Sequence, residues 1–316
     1  MKFLSLFLLC ITSSIAVPAQ HVYYKVSFPN AVHHEARITL TVTGIPKGPA
    51  VFRMSRSSPG RYATHEFGKN IYQVSAEDGS GKPLQVARTD GDIYQVAEHG
   101  NTIAISYTLY GDYADGTYAG IDPESVHLNM PACFMWMVGM DDAPIEIRFD
   151  PPAGNKGVIA TQLKPGADPH VFTAPGLQFF MDSPTKIGDL HIIQWDISNP
   201  DGSRYKMGIA LESIATPEQE KDLAAKVQRM VAEAKAVYGE FPKYDYGTYT
   251  FLASINSYVH GDGMEHRNST MITVPIPRLN VDRVLGVFAH EYFHNWNVER
   301  IRPKTLEPFN FTKSNM

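Results

Sequence analysis

The stretch that decides the fold runs from Asn280 to Val298 and reads NVDRVLGVFAHEYFHNWNV. At its centre His290 and His294 are four residues apart, so on a helix both rings project from one face. Glu291 lies between them. In this HExxH pattern the histidines bind a zinc ion, and the glutamate takes a proton from water. The spacing therefore predicts a helix that holds zinc.

The residues around the motif favour a packed helix. Asn280 is of a type that caps helices, and Asp282 falls in the first turn. Apolar side chains surround the ligand face at Val284, Leu285, Val287, Phe288 and Phe293. The alternative is an amphipathic helix whose histidines are only packed or exposed, and the pentapeptide alone is compatible with both.

A second motif lies upstream, where Glu265 precedes His290 by 25 residues. A carboxylate beside the zinc could pair with the free α-ammonium group of a peptide. An adjacent edge strand, predicted at Thr270 to Val274, could bind the peptide backbone. The motif then predicts an enzyme that cuts from the amino end, whereas the alternative is that Glu265 is an ordinary turn carboxylate.

The elements before the motif follow a recognisable order. Thr216 and Gln219 form a capping box at the start of a helix, and a strand follows at Tyr246 to Ala253. A glycine-containing loop, Ser257 to Met264, leads to the predicted edge strand. Helix, strand, loop, edge strand and metal helix are the order of a thermolysin-like domain. Residues 184–316 are therefore predicted to form the N-terminal half of a zincin catalytic domain.

The preceding residues show a different pattern, in which apolar and polar residues alternate as in half-buried strands. The clearest runs are Ile38, Leu40 and Val42; Ile103, Ile105, Tyr107 and Leu109; and Ile145, Ile147 and Phe149. Turn signals separate these runs, and no helical period of useful length intervenes. Residues 20–183 are therefore predicted to form an N-terminal antiparallel β-sandwich, and the fold class is α+β.

Composition excludes one class of partner. The chain has 316 residues, 43% hydrophobic and 19% charged, which is ordinary for a soluble globular protein. It carries 28 basic and 33 acidic residues, with no basic run longer than the short cluster of Arg300, Arg302 and Lys304. We therefore expect no nucleic-acid binding.

The first 19 residues form a predicted secretory signal peptide. Lys2 precedes the apolar run Phe3 to Ile11, and Val17-Pro18-Ala19 offers a small-residue cleavage site. The run is shorter than the roughly 20 residues that span a bilayer, so we expect no integral membrane span after cleavage. Cleavage leaves Cys133 as the sole cysteine, which excludes an intrachain disulfide. The protein is expected to be exported, either periplasmic or secreted.

Two stretches carry a resemblance to a known family. HEYFHNWNVERIRPKTLEPF and GDGMEHRNST resemble signatures of the glycyl aminopeptidase family of zinc metallopeptidases, metallopeptidase family sixty-one. These proteins are thermolysin-like gluzincins, often with a PDZ domain. Ser58 to Tyr62, Glu66 to Asn70 and Asp182 to Pro184 resemble that family's amino-terminal β-domain and its junction. The resemblance covers nearly the whole mature chain.

The resemblance implies roles for particular residues. It makes His290 and His294 zinc ligands and Glu291 the general base. It makes the following residues the substrate-binding loop: Gly263, Met264, Glu265 and His266. The implied activity is the release of amino-terminal residues, with glycine or alanine preferred, from peptide substrates that have a free N-terminus.

The third zinc ligand is a departure from the family pattern. The family takes it from a glutamate on a later helix, whereas the glutamates after His294 are Glu299 and Glu307. On a continued helix Glu299 would lie about 140° from His294, and Glu307 follows the helix-breaking Pro303. Neither is expected to bind zinc. We therefore expect a truncated chain that lacks the third protein ligand and is inactive alone.

Two rival functions remain open. A zinc endopeptidase of the same architecture would use the same helix without needing Glu265 for an α-ammonium group. A non-catalytic exported binding module with a remnant peptidase domain would bind ligands without Glu291. Substrates with free and blocked amino ends separate the first rival from an aminopeptidase.

Overall fold

The structure, a computed structural model, describes residues 19–61, 63–155 and 157–313. The predicted signal peptide, residues 1–19, lies outside these ranges except for Ala19. Within the three ranges, no helix combines the length and the apolar character needed to cross a membrane.

The amino-terminal half, which we call the β domain, is built mainly from strands. These are β1 His21–Asn30, β2 Glu35–Thr43, β3 Ala50–Arg53, β4 Ile71–Asp78, β5 Pro83–Leu84, β6 Ala87–Asp90, β7 Ile93–Val96, β8 Thr102–Tyr110, β9 Ala119–Ile121, β10 Ser125–Leu128, β11 Trp136–Met137, β12 Ile145–Asp150, β13 Val158–Thr161, β14 Lys164–Pro165, β15 Val171–Ala174 and β16 Thr185–Gly188. The short helices are α1 Met130–Cys133 and α2 Leu177–Met181, with 3₁₀ turns at Ala31–His33 and Phe67–Asn70.

These strands form three sheets. The largest has the order β14-β15-β12-β1-β2-β8-β4-β5, and the two four-stranded sheets have the orders β13-β16-β10-β9 and β11-β3-β7-β6. Neighbouring strands are antiparallel except for β1 and β12, which are parallel. The prediction of a purely antiparallel sandwich did not include this pair. Alternation of side chains is the same in parallel and antiparallel strands, so it does not reveal strand direction.

The predicted alternation determines which side chains enter the core. In β2 every second residue is buried, and the same holds at the start of β8 and along β12. Side chains from the three sheets meet in one hydrophobic cluster, which includes Ile38, Phe52, Tyr107, Val126 and Ile147. Sheets packed through one shared core confirm the predicted sandwich-like architecture.

The carboxyl-terminal half, in which the sequence predicts a zincin domain and which we therefore call the catalytic half, contains one five-stranded sheet and two long helices. Its elements are β17 His191–Ser198, β18 Arg204–Ser213, α3 Pro217–Tyr238, β19 Thr248–Ile255, β20 Asp262–Glu265, β21 Ser269–Val274 and α4 Val281–Phe293, followed by a 3₁₀ turn at Lys304–Leu306. The sheet order is β17-β18-β19-β21-β20. β19 is parallel to both of its neighbours, and the other pairs are antiparallel. Together with the β domain this gives the predicted α+β fold.

The strand predicted to lie at the edge of this sheet is not the edge strand. The run at residues 270–274 is β21, which lies inside the sheet between β19 and β20. The true edge is β20, Asp262–Glu265, which the sequence analysis assigned mostly to a loop. A glycine in a four-residue strand weakens the strand signal, because glycine is depleted in strands.

The two helices start where their capping residues predict. Thr216 and Gln219 form a reciprocal capping box on α3, and the Asn280 side chain accepts a hydrogen bond from the Arg283 amide on α4 (3.1 Å). α4 nevertheless ends at Phe293 rather than continuing to Val298. Val298 has a φ of +98°, which is incompatible with a continuing right-handed helix.

The hairpin of β20 and β21 is attached to the β domain. Gln162 Oε1 accepts hydrogen bonds from the Asn268 amide (2.9 Å) and the Ser269 hydroxyl (2.8 Å). Lys186 of β16 pairs with Glu212 of β18 at 2.7 Å, and only 1% of the lysine side chain is exposed. The interface between the two halves therefore places this hairpin next to loops of the β domain.

Candidate active site

The two predicted zinc ligands converge at the end of α4. The Nε2 atoms of His290 and His294 are 3.3 Å apart, and their rings are nearly perpendicular, at 78°. His290 lies in the last turn, and His294 is the first residue past the helix, still with right-handed backbone angles. The four-residue spacing therefore brings both nitrogens to one point, even though the helix ends between them.

The separation of these nitrogens fits zinc. Zn–N bonds of about 2.0–2.1 Å at tetrahedral angles place two imidazole nitrogens about 3.3 Å apart. The Nδ1 atom of His294 lies 3.1 Å from the Asn297 carbonyl oxygen, which can only accept a hydrogen bond. Nδ1 must therefore carry the proton, which leaves the Nε2 lone pair free for a metal.

Two carboxylates lie beside His294. Ligand atoms of Glu265, Glu291 and His294 all lie within 4.8 Å of one another. Of the two glutamates that follow His294 in the sequence, Glu299 contacts it through the backbone, where its amide donates to the His294 carbonyl (3.2 Å). Glu307 is exposed and pairs with Arg302 at 3.2 Å. Among the described residues, the carboxylates grouped with the His294 nitrogen are those of the two predicted motifs, Glu265 and Glu291.

Glu291 occupies a tight and electrostatically unfavourable position. Only 6% of its side chain is exposed, and the carboxylate lies directly over Gly263. A Cβ atom at residue 263 would overlap the carboxylate, so any residue other than glycine would displace the Glu291 side chain. Burial, together with the negative charges of Glu265 and Asp262, raises the pKa of Glu291 to about 8, although Arg61 opposes the shift. A divalent cation at the histidines would lower this pKa again.

The strand β20 divides the predicted substrate-binding residues between its two faces. Gly263 and Glu265 face the metal helix, since Gly263 contacts Glu291 and Glu265 lies near His294. Met264 and His266 are buried, and the His266 Nδ1 atom is 2.8 Å from Asp182 Oδ1. The alternation of a strand explains this division. Two of the four residues thus reach the site, and the other two anchor the strand.

The β domain contributes residues that sequence reasoning did not assign to the site. Gly60 and Arg61, together with Glu265 and Glu299, line a cavity of about 40 Å³. Arg61 also forms an ion pair with Asp262 of β20. Gly60 and Arg61 lie in the stretch Ser58 to Tyr62, which resembles the amino-terminal β-domain of the same family. That resemblance was the one signal in the sequence that linked them to the catalytic motifs.

Comparisons with known proteins place the chain among peptidases. The family model described as Peptidase M61 N-terminal domain matches residues 23–189, and the model described as M61 glycyl aminopeptidase matches residues 283–316. Leucine aminopeptidase 2 of Vanderwaltozyma polyspora is 32% identical over 104 residues, which are 32% of this chain and 14% of that protein. The second model includes the predicted zinc ligands.

Solved structures share the fold. An aminopeptidase N family protein of Idiomarina loihiensis matches with a TM-score of 0.79 and 23% identity, over 93% of this chain and 50% of that one. Aminopeptidase A of Legionella pneumophila, in complex with aspartic acid, matches with a TM-score of 0.54 and 14% identity, over 87% of this chain and 34% of that one. The chain thus spans half the length of the first of these structures.

The model of the N-terminal domain covers more than half of the chain, and the second model falls on the helix that carries the HExxH motif. The chain belongs to the M61 peptidase family of metallopeptidases.

Proposed function

We propose that the chain carries two parts of an aminopeptidase that releases residues from peptides. These are the zinc helix, α4, and the amino-terminus pocket, which is the space beside the Glu265 carboxylate of β20. The observation that carries the proposal is the 3.3 Å separation of the His290 and His294 nitrogens, with Glu291 and Glu265 beside His294. His290 and His294 would hold Zn²⁺. Zinc would supply Lewis-acid chemistry by acidifying water and polarising a peptide carbonyl.

The residues of the chain have separate tasks. The Glu291 carboxylate takes a proton from the attacking water and passes it to the leaving amine, and its burial keeps competing water away. The Glu265 carboxylate pairs with the α-ammonium group of the peptide. The outer edge of β20 offers backbone groups to an extended peptide. A free amino end is therefore required for tight binding.

Substrate class and location are parts of the same proposal. The resemblance to glycyl aminopeptidases supports peptides that begin with glycine or alanine. The predicted signal peptide, residues 1–19, supports an exported protein in the periplasm or outside the cell. Membership of the peptidase family supports hydrolysis of peptide bonds in general.

The test uses Glu291→Gln, which keeps the shape of the side chain but removes the base. Zinc binding is measured by competition with a chelator, and hydrolysis of glycyl and alanyl chromogenic amides is measured with this chain and with any longer gene product that contains it. The variant should bind zinc like the wild type and lose at least about a hundredfold in kcat. Glu233→Gln on the exposed face of α3 is the matched control and should change neither quantity.

Three outcomes would contradict the proposal. Unchanged kcat in Glu291→Gln would remove this residue as the base. Equal hydrolysis of free and N-acetylated substrates would favour the endopeptidase, because that enzyme has no use for a carboxylate that binds an α-ammonium group. Peptide binding that needs neither zinc nor Glu291, without any hydrolysis, would favour a binding module.

A further inference from the structure

Loops of the β domain hold the first residue of β20. The amide of Gly116 donates a hydrogen bond to Asp262 Oδ2 (3.0 Å). Arg61 forms an ion pair with the same carboxylate and donates from Nε to the Thr117 hydroxyl (2.7 Å). Two loops of the β domain that are far apart in sequence therefore meet at Asp262.

Gly60 holds the other end of the strand by close approach. Its φ of +79° belongs to the left-handed region, which favours glycine. A Cβ atom at this position would lie 3.1 Å from each carboxylate oxygen of Glu265 and 2.7 Å from the Met264 sulfur. The bare backbone of Gly60 thus packs against the Glu265 carboxylate. A side chain there would force the Met264 sulfur to move and would displace that carboxylate by a few tenths of an ångström.

The close approach matters because little else restrains Glu265. Among residues 19–61, 63–155 and 157–313, no hydrogen bond or ion pair holds its side chain. Its orientation therefore depends on packing against neighbouring atoms. Ordering a flexible carboxylate on binding lowers affinity, so a wall that restrains it beforehand raises affinity.

We propose that Gly60 and Arg61 are positioning residues of the amino-terminus pocket. Gly60 restrains the Glu265 carboxylate, and Arg61 fixes the strand that carries it through Asp262. The affinity for a substrate's α-ammonium group then depends on the β domain as well as on the catalytic half. This inference rests on the proposed role of Glu265.

A matched pair of glycine substitutions tests Gly60. Gly81 has a nearly identical φ of +82°, but a Cβ atom there would meet nothing within 4 Å. Gly60→Ala and Gly81→Ala therefore both place alanine at a similar positive φ, and only the first contacts Glu265 and Met264. Glycinamide is the probe, because it presents an α-ammonium group without a side chain, and N-acetylglycinamide is its blocked counterpart.

The measurements are calorimetric or NMR titrations of glycinamide into the zinc-loaded chain, with zinc affinity measured separately. Gly60→Ala should bind glycinamide at least about tenfold more weakly, with unchanged zinc affinity. Gly81→Ala should match the wild type in both. In an active form, Gly60→Ala should raise KM much more than it lowers kcat, a split that a general loss of structure would not produce.

A second pair tests Arg61 and covers the case in which Gly60→Ala does not fold. Arg61→Gln should weaken glycinamide binding in the same direction, and Arg61→Lys should restore part of it by keeping the charge beside Asp262. Arg148 is the control, since it is similarly half-buried and pairs with Asp150 (2.8 Å) and Asp168 (2.7 Å) within the β domain. Arg148→Gln should bind glycinamide like the wild type.

The outcomes separate this inference from the proposed function. Wild-type glycinamide affinity in both Gly60→Ala and Arg61→Gln, with loss of binding in Glu265→Gln, would overturn the inference alone. Wild-type affinity in Glu265→Gln would overturn the proposed role of Glu265 and the inference with it. Equal binding of N-acetylglycinamide by the wild type would have the same consequence.

Discussion

The two halves of the molecule serve the candidate site in different ways. The catalytic half supplies its chemistry from regular elements, with His290 and Glu291 on α4 and Glu265 on β20. The β domain supplies loops, from which Gly60 and Arg61 reach β20. Side chains on regular elements have a period that the sequence reveals, whereas loops are placed by the fold. The chemistry was therefore predictable, but its placement was not.

The largest expected effect comes from breaking the ion pair between Lys186 and Glu212, which joins the two halves. Lys186→Met removes the charge that faces Glu212, whose side chain is 19% exposed, and leaves that carboxylate without its cation, although Asn256 Nδ2 still donates to it (3.2 Å). Breaking a buried pair in this way should lower the free energy of unfolding by about 3 kcal/mol. Urea denaturation measures the loss.

Adding Glu212→Met to Lys186→Met is the control. Because both charges are then gone, most of the stability should return. A single variant as stable as the wild type would mean that the halves are held together mainly by their other contacts.

The next effect lies within the catalytic half. His294→Ala removes a nitrogen that lies 3.3 Å from its partner on His290, and zinc affinity should fall by about a hundredfold, or about 2.8 kcal/mol. Competition with a chelator measures the change. His33→Ala in the β domain is the control and should leave zinc affinity as it was; equal zinc binding by both variants would place the metal elsewhere.

The smallest effect is a pH dependence at the interface. Burial, aided by the charge of Lys186, lowers the pKa of His127 to about 3. In the unfolded chain its pKa returns to about 6.5, so the unfolded state binds the extra proton below that pH. Stability should therefore fall by about 1 kcal/mol between pH 6.5 and 5.5 through this residue alone.

Replacement by a side chain that does not titrate tests this contribution. His127→Gln should remove about that much of the loss on acidification, as measured by urea denaturation at the two pH values. His33→Gln, at an exposed position, should leave the slope intact. An unchanged slope in His127→Gln would show that this imidazole is not a source of the acid sensitivity.

The two long helices show which structural features could be predicted from the sequence and which could not. The caps at Thr216 and Asn280 were correctly identified, because capping depends on residues adjacent in sequence. The end of α4 was not, because it depends on tertiary contacts. Trp296 stacks on Tyr238 of α3 with ring centroids 4.1 Å apart, and the amide of Ile301 turns back to the Trp296 carbonyl (2.7 Å).

The site shows the same limit. His290, His294 and Glu291 follow from spacing on one helix, and the structure brings them together. The contact of Arg61 with Asp262 joins residues 201 positions apart, and no local pattern encodes it. The position of β20 at the sheet edge was missed for a related reason, since a four-residue strand acquires its identity from its partner β21.

That long separation has a consequence for the order in which the protein forms. Contacts between distant parts of a chain carry a large cost in chain entropy and are slow to form. The zinc helix is formed by contacts between residues close in sequence. The amino-terminus pocket forms only when the loop at Gly60 and Arg61 packs against β20. The pocket should therefore be among the last features to mature, so that a partly folded chain does not yet recognise peptide ends.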